Sequence, residues 1–215
     1  MNRTIHGLIL GLLLTGCATG SPRLPYDAWR LGFGAPNYME VWIETANVLD
    51  QRDRIFPRAM SGIASVLSPK SLERDPGGWP TRPGWGKGKY VLGADLPYIV
   101  YVRWQSLVEP QTYEAFIKVP EATRQAMVKG EKAYCLADGK WITDYRKGLA
   151  IGLAPGGVAK AWIMGPCLAP IEVTRVQGTV VKEGPYEGKS GGKHRPLSET
   201  AKAYIEKHGI PYDSW

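Results

Sequence analysis

The chain has 215 residues and carries 27 Lys and Arg against 20 Asp and Glu, a formal charge of +7 with a sequence pI near 9.3. That length suffices for one ordinary domain with a real core, and the basic excess suits an anionic surface or an acidic partner. The apolar run Ile5–Leu14 falls well short of the roughly 20 residues needed to span a bilayer, so it is not a membrane-crossing helix.

In chain order, Arg3 precedes that apolar run, and Thr15, Gly16 and Cys17 follow it. A basic start, an apolar stretch and small residues at a cut position form the layout of a secretory signal. A buried core helix would want a polar face, which this run lacks after His6. With cysteine at the cut, Leu14-Thr15-Gly16-Cys17 resembles the lipobox of bacterial lipoproteins. The resemblance implies that residues 1–16 are removed and that Cys17 becomes an N-terminus acylated on sulfur and nitrogen. Two or three acyl chains hold firmly where one holds only marginally. Ala18, in place of aspartate, implies the inner leaflet of the outer membrane, facing the periplasm. The mature chain would keep 199 residues and a charge of +6, since Arg3 is the only charged residue lost. A protein held there meets no nucleic acid, which leaves anionic lipid or an acidic protein as the use of its charge.

Residues 17–25, with Gly20, Ser21, Pro22 and Pro25, read as a short tether. Period-two patterns then dominate. Trp29, Leu31 and Phe33 alternate with Arg30 and Gly32, Val41, Ile43 and Thr45 alternate with Glu40, Trp42 and Glu44, and the turn Ala35-Pro36-Asn37 between them predicts a strand pair. Residues 58–67 fit a helix or a strand. Residues 68–90 hold Pro69, Pro76, Pro80, Pro83, several glycines, Trp79 and Trp85, a long loop of the kind that is usually functional. Tyr98–Leu107 is rich in β-branched and aromatic residues and predicts a strand; Tyr113, Ala115, Ile117 and Val119 mark the next. Pro120 opens a short helix over Glu121–Lys129, ended by Gly130. Asp138-Gly139 predicts one hairpin, and Ala154-Pro155-Gly156-Gly157 joins Leu149–Leu153 to Val158–Met164 in another. Ile171–Val181 predicts a further strand. A basic, glycine-rich stretch over 182–196 leads to a terminal helix near 198–208, capped by Ser198, stopped by Gly209, and carrying Ala201, Tyr204, Ile205 and His208 on one face. No repeat of fixed period is present.

Chemistry-bearing motifs are few. His194 and His208 are the histidines left after residue 16, and no cluster of about four nitrogen or sulfur ligands marks a metal site. No serine sits in a Gly-x-Ser-x-Gly elbow. The run Gly184–Ser190 approaches a phosphate loop but has Glu183 where glycine is needed and no helix after it. Glu109, Glu114 and Glu121 invite a carboxylate-pair reading, yet a turn, a strand face and a helix first turn account for them. Cys135 and Cys167 are an even pair that an oxidising compartment would bridge; two buried free thiols are the alternative. Trp79 and Trp85, flanked by Lys87 and Lys89, either project as anchors for a protein partner, with the lysines steering association, or fold back onto the domain.

Two blocks, Gly93–Pro97 with Val102–Pro110 and Thr112-Tyr113, and Ile151–Gly157 with Trp162 and Gly165–Cys167, resemble together the bacterial lipoproteins grouped as domain of unknown function 2931. The resemblance covers about Pro25 to Val181. It carries no catalytic residues and no cofactor. It implies a membrane-tethered protein that blocks a phospholipase effector of type VI secretion, an immunity protein working by occlusion. Two other classes compete: an envelope lipoprotein binding peptidoglycan, lipid or an outer-membrane protein through a groove or apolar pocket, and a periplasmic hydrolase with polar residues clustered in a cleft. The expected fold of residues 26–215 is mainly β, antiparallel and sandwich-like, with the two helices near 120–130 and 198–208 and a basic tail over 182–215.

Overall fold

The computed structural model describes residues 24–73, 78–80 and 82–215; the expected signal 1–16, Cys17 and the tether as far as residue 23 lie outside the described residues, as do 74–77 and 81 of the long loop. Leu24, counted above with the tether, already leans on the core. The strands are β1 (Ala28–Gly34), β2 (Val41–Asp50), β3 (Ile55–Ile63), β4 (Lys87–Leu92), β5 (Pro97–Ser106) and β6 (Gln111–Lys118), then β7 (Glu131–Cys135), β8 (Lys140–Asp144), β9 (Gly148–Ala154), β10 (Val158–Met164), β11 (Ile171–Gln177) and β12 (Thr179–Val180). Helix α1 (Glu121–Val128) precedes β7, and α2 (Glu199–His208) lies near the C-terminus.

Two five-stranded sheets, ordered β11-β10-β9-β1-β4 and β12-β6-β5-β2-β3, form a sandwich, and β7 and β8 stand apart as a hairpin. Side-chain alternation sets the inner faces. Trp29, Leu31 and Phe33 of β1 and Leu149, Ile151 and Leu153 of β9 meet Val41 and Ile43 of β2, Val100, Val102 and Trp104 of β5 and Ile117 of β6 in one core. Each fully buried large apolar side chain there stabilises the fold by roughly 1.5–3 kcal/mol.

Two connections differ from expectation and one open alternative is resolved, each for a local reason. β1 and β2 do not pair. β1 takes β4 antiparallel and β9 parallel, so its sheet is mixed, while β2 takes β3 and β5. The link between β1 and β2 spends its backbone donors elsewhere: Ala35 N–H goes to Ser65 O at 2.8 Å and Tyr38 N–H to Leu67 O at 2.9 Å, which carries the chain across to the other sheet. The stretch 58–67 is largely strand. Its period is scrambled because the β2–β3 register shifts twice, with Arg58 at φ 51° and Gly62 at φ 103°. The expected strand Ile171–Val181 splits at Gly178, where the chain leaves one sheet for the other. A Cβ at Gly178 would stand 2.7 Å from the Trp104 ring, so the crossing needs glycine.

The tail over 182–196 is not free. It straps the outer face of the second sheet, where Glu44 pairs with Arg103 at 3.0 Å and accepts from Gln105 Nε2 and Tyr186 N–H. Arg195 N–H donates to Gln105 Oε1 at 2.8 Å, and its guanidinium lies 4.1 Å from the Trp42 ring centroid. His194 sits against the Thr112 hydroxyl, and burial pushes its imidazole below the usual histidine range. Ser198 caps α2 through the Ala201 N–H and binds the Glu40 carboxylate, while Tyr204 stacks on Tyr38 at 3.8 Å. At the opposite end Asp50 is buried. Burial alone would raise its pKa, but N–H donors of Asp95, Arg54 and Arg52 and the Arg54 guanidinium hold the carboxyl below its ordinary value.

Of the two alternatives for the cysteines, the structure takes the bridge: Cys135 of β7 joins Cys167, 32 residues on and just past β10, with Cα atoms 5.0 Å apart. A loop of that length gives about 3–4 kcal/mol on the chain-entropy account. Replacing both cysteines by alanine should therefore lower unfolding stability by about 3–4 kcal/mol in urea, measured without reductant. In the unmutated protein, alkylation should label both thiols only after reduction. Labelling of both without reductant contradicts the bridge.

Candidate functional site

Along β9 the sequence Gly148-Leu-Ala-Ile-Gly-Leu-Ala154 alternates small and large residues, and all seven are buried. The large ones face the core. Gly148, Ala150 and Gly152 face outward, and the parallel register sets Gly32 beside Ala150 and Gly34 beside Gly152. The outer face of the sheet is therefore almost bare backbone at its centre.

Residues 78–80 and 82–86 of the long loop lie on that bare floor. Trp85 covers Gly148, where a Cβ would come within 2.2 Å of its ring; Trp79 covers Gly152, where the distance would be 2.5 Å. Trp79 also meets Trp162 of β10 edge-on, centroids 5.4 Å apart. Arg30 of β1 ties the loop down by donating to Trp85 O at 2.6 Å and Gly86 O at 2.9 Å. Both tryptophans are half-buried. Of the two alternatives for this loop, the structure takes the fold-back.

Between loop and floor remains a cavity of about 360 Å³, lined mainly by apolar groups of Ala35, Pro36, Leu67, Trp79, Pro83, Ala150 and Trp162. The Trp79 Nε1–H is buried without a hydrogen-bond partner among the described residues. A pocket with apolar walls and one unspent donor can hold an apolar group that ends in, or lies beside, an acceptor.

Lys87 and Lys89 do not border this pocket. They stand opposite Phe33 and Leu31, whose side chains face inward, so the lysines share that side, away from the tryptophans. They are exposed because β4 is an edge strand, where inward lysines discourage pairing with another sheet. The carboxylates do not converge. Glu109 accepts from the Tyr113 hydroxyl and from Gly156 N–H, Glu114 accepts from Tyr101 at 2.8 Å, and Glu121 pairs with Arg124 within α1. Burial, then the Glu114 carboxylate, push the Tyr101 phenol up to about 12. Among the described residues no group of three or more His, Cys, Asp or Glu is placed to hold a metal ion. The residues that sequence reasoning overlooked are the floor itself, Gly32, Gly148, Ala150 and Gly152. Their signal was the small–large alternation, which marks a strand covered on its second face by something broad and flat.

The family model described as "Protein of unknown function (DUF2931)" matches residues 17–213. No curated protein and no solved structure matches the chain.

Because the tryptophans are seated and not free, truncating them costs stability. Trp79→Ala and Trp85→Ala should each destabilise by about 2–3 kcal/mol, somewhat under the range for a fully buried tryptophan. Gly148→Val should also destabilise, but less in a Trp85→Ala background, because the two groups compete for one space. Urea unfolding of the four variants beside the wild type checks this. Unchanged stability in either tryptophan variant would mean a loop that floats.

Proposed function

We propose that this chain, which belongs to the DUF2931 family, is a lipoprotein anchored through Cys17 at the inner leaflet of the outer membrane, facing the periplasm. On this reading it binds and occludes another protein there, a phospholipase delivered by type VI secretion. The lipobox supports the anchor, and the family match begins at Cys17, the residue that the anchor would make the mature N-terminus. The mature charge of +6 suits an anionic leaflet or an acidic partner.

The observation that carries the binding reading is the apolar pocket under Trp79. Protein interfaces draw most of their energy from a few side chains that fill well-packed, desolvated pockets. A slot of about 360 Å³ with Leu67 at its rim, 58% exposed, takes an aromatic or aliphatic anchor side chain of a partner. Occlusion of this kind needs a rigid scaffold and a preformed seat, and the central strand β9 of the first sheet is buried along its whole length. The same pocket also favours the second class, an envelope lipoprotein that holds a lipid chain, because its lining is mainly apolar.

The deciding experiment is survival under attack. A strain lacking the gene should be killed by toxin-delivering siblings and rescued by the wild-type protein. Cys17→Ser, which should take up no palmitate label, should fail to rescue. Ala150→Leu, which fills the pocket, should lower affinity for the phospholipase at least tenfold, about 1.4 kcal/mol, by calorimetry. Survival of the deletion strain overturns immunity; survival together with a lipid found in the purified wild-type protein, and absent from Ala150→Leu, favours the second class.

A further inference from the structure

The hairpin β7–β8 hydrogen-bonds to no other strand, yet it is held to the body at both ends. Beside the turn Cys135 is bridged to Cys167, and at the foot Asp144 accepts from Cys167 N–H at 2.8 Å and Glu131 pairs with Arg146. Its arms of five residues each extend about 17 Å at the usual strand rise. One face bares two aromatics and the tip bares a leucine beside Asp138: Leu136 is 88% exposed, Trp141 69% and Tyr134 47%, with Tyr134 and Trp141 cross-strand partners whose rings meet at 5.8 Å. Lys129 and Lys132 near the foot and Lys140 at the turn are exposed. Glu131 and Asp144 are spent on internal partners, which leaves Asp138 as the free acid of the hairpin. A disulfide-stapled finger that holds two aromatics and a leucine in water has a use for them outside the fold.

From this we propose that the β7–β8 hairpin is a membrane-docking finger that inserts Tyr134, Leu136 and Trp141 into the headgroup region of the leaflet to which the chain is tethered. The proposal rests on the lipoprotein reading. Three observations select a lipid surface as the occupant. The first is the tether: residues 18–23 separate Cys17 from Leu24, a reach of at most about 25 Å, so the anchored face of the body stays close to the bilayer. The second is where the described chain begins. Tyr26 sits edge-on against Tyr145 at 5.8 Å, and Tyr145 follows β8 directly and lies beside Gly130, so the tether joins the body at the foot of this hairpin. The third is side-chain chemistry. Tyrosine and tryptophan partition to the membrane interface, where the ring is buried and the polar edge stays wet, and neighbouring lysines meet anionic headgroups. With the acyl anchor, the finger would supply a second contact and fix the orientation of the body, setting which surfaces face the periplasm.

The test uses the mature lipidated protein in vesicles of phosphatidylethanolamine and phosphatidylglycerol whose acyl chains are brominated near the headgroup. Among the eight tryptophans, Trp141 is the one exposed among large hydrophobic side chains. Bromine should quench wild-type emission more than that of Trp141→Tyr. Leu136→Asp, which keeps Trp141 but forbids insertion, should cut quenching to the Trp141→Tyr level. Intact mass reports acylation of Cys17 in every sample. Acylated protein with equal quenching in all three overturns the finger and leaves the lipoprotein reading standing. An unacylated Cys17 overturns both. Protection of 131–144 from hydrogen exchange only on adding a protein partner also overturns the proposal, by assigning the finger to that partner.

Discussion

A strand buried on both faces must be covered twice, and parallel pairing places β1 and β9 in that position at the centre of their sheet. The inner cover is the opposing sheet. The outer cover is a loop, and loops cannot dock closely on a surface of branched side chains. Gly32, Gly148, Ala150 and Gly152 remove that obstacle by leaving backbone where side chains would stand. The indoles of Trp79 and Trp85 supply the area, Arg30 supplies the hydrogen bonds that fix the loop's carbonyls, and the remaining gap is the pocket. Filling Gly148 or Gly152 would lift a ring, and at Gly152 that ring is Trp79, which lines the pocket.

The second sheet solves the same problem with polar chemistry. Its outer face presents Glu44, Arg103, Gln105 and Thr112, which would be poor surfaces for an indole. The strap over 182–196 answers them with backbone N–H groups, the Gly184 carbonyl, His194 and the Arg195 guanidinium. Such a layer stabilises only when every member is satisfied, since an unpaired buried charge costs several kcal/mol. The result is a sandwich with an adaptable apolar cover on one side and a closed polar cover on the other. Of the two, the apolar cover is where space for another molecule remains.

What was legible in the sequence was local. The strand at Tyr98–Leu107, both hairpins, helix α1 and the Ser198 cap follow from patterns within about ten residues, and each stands where those patterns put it. What was not legible was long-range pairing. Alternation in β1 and β2 shows that each has a buried face but says nothing about neighbours, so β1 could not be matched to β9, more than a hundred residues away. Bulges hid β3 because each one resets the period. At the site, Trp79 and Trp85 stood out as residues of note, but their orientation depended on glycines in β1 and β9, which no local window contains. Lys87 and Lys89 lie next to Trp85 in sequence, and one turn into an edge strand sends them to the other side of the sheet.

On the proposed reading a partner binds at the rim of the pocket, beside Leu67 and Trp79, while the hairpin and the tether junction lie together at another part of the body. The most direct measurement is photocrosslinking from the rim. A photoreactive phenylalanine analogue at position 67, in cells under attack by toxin-delivering siblings, should form a covalent adduct with a protein, and the same analogue at position 87, on the opposite side of the sheet, should not. Adducts from position 87 alone, or from neither position, would contradict the account.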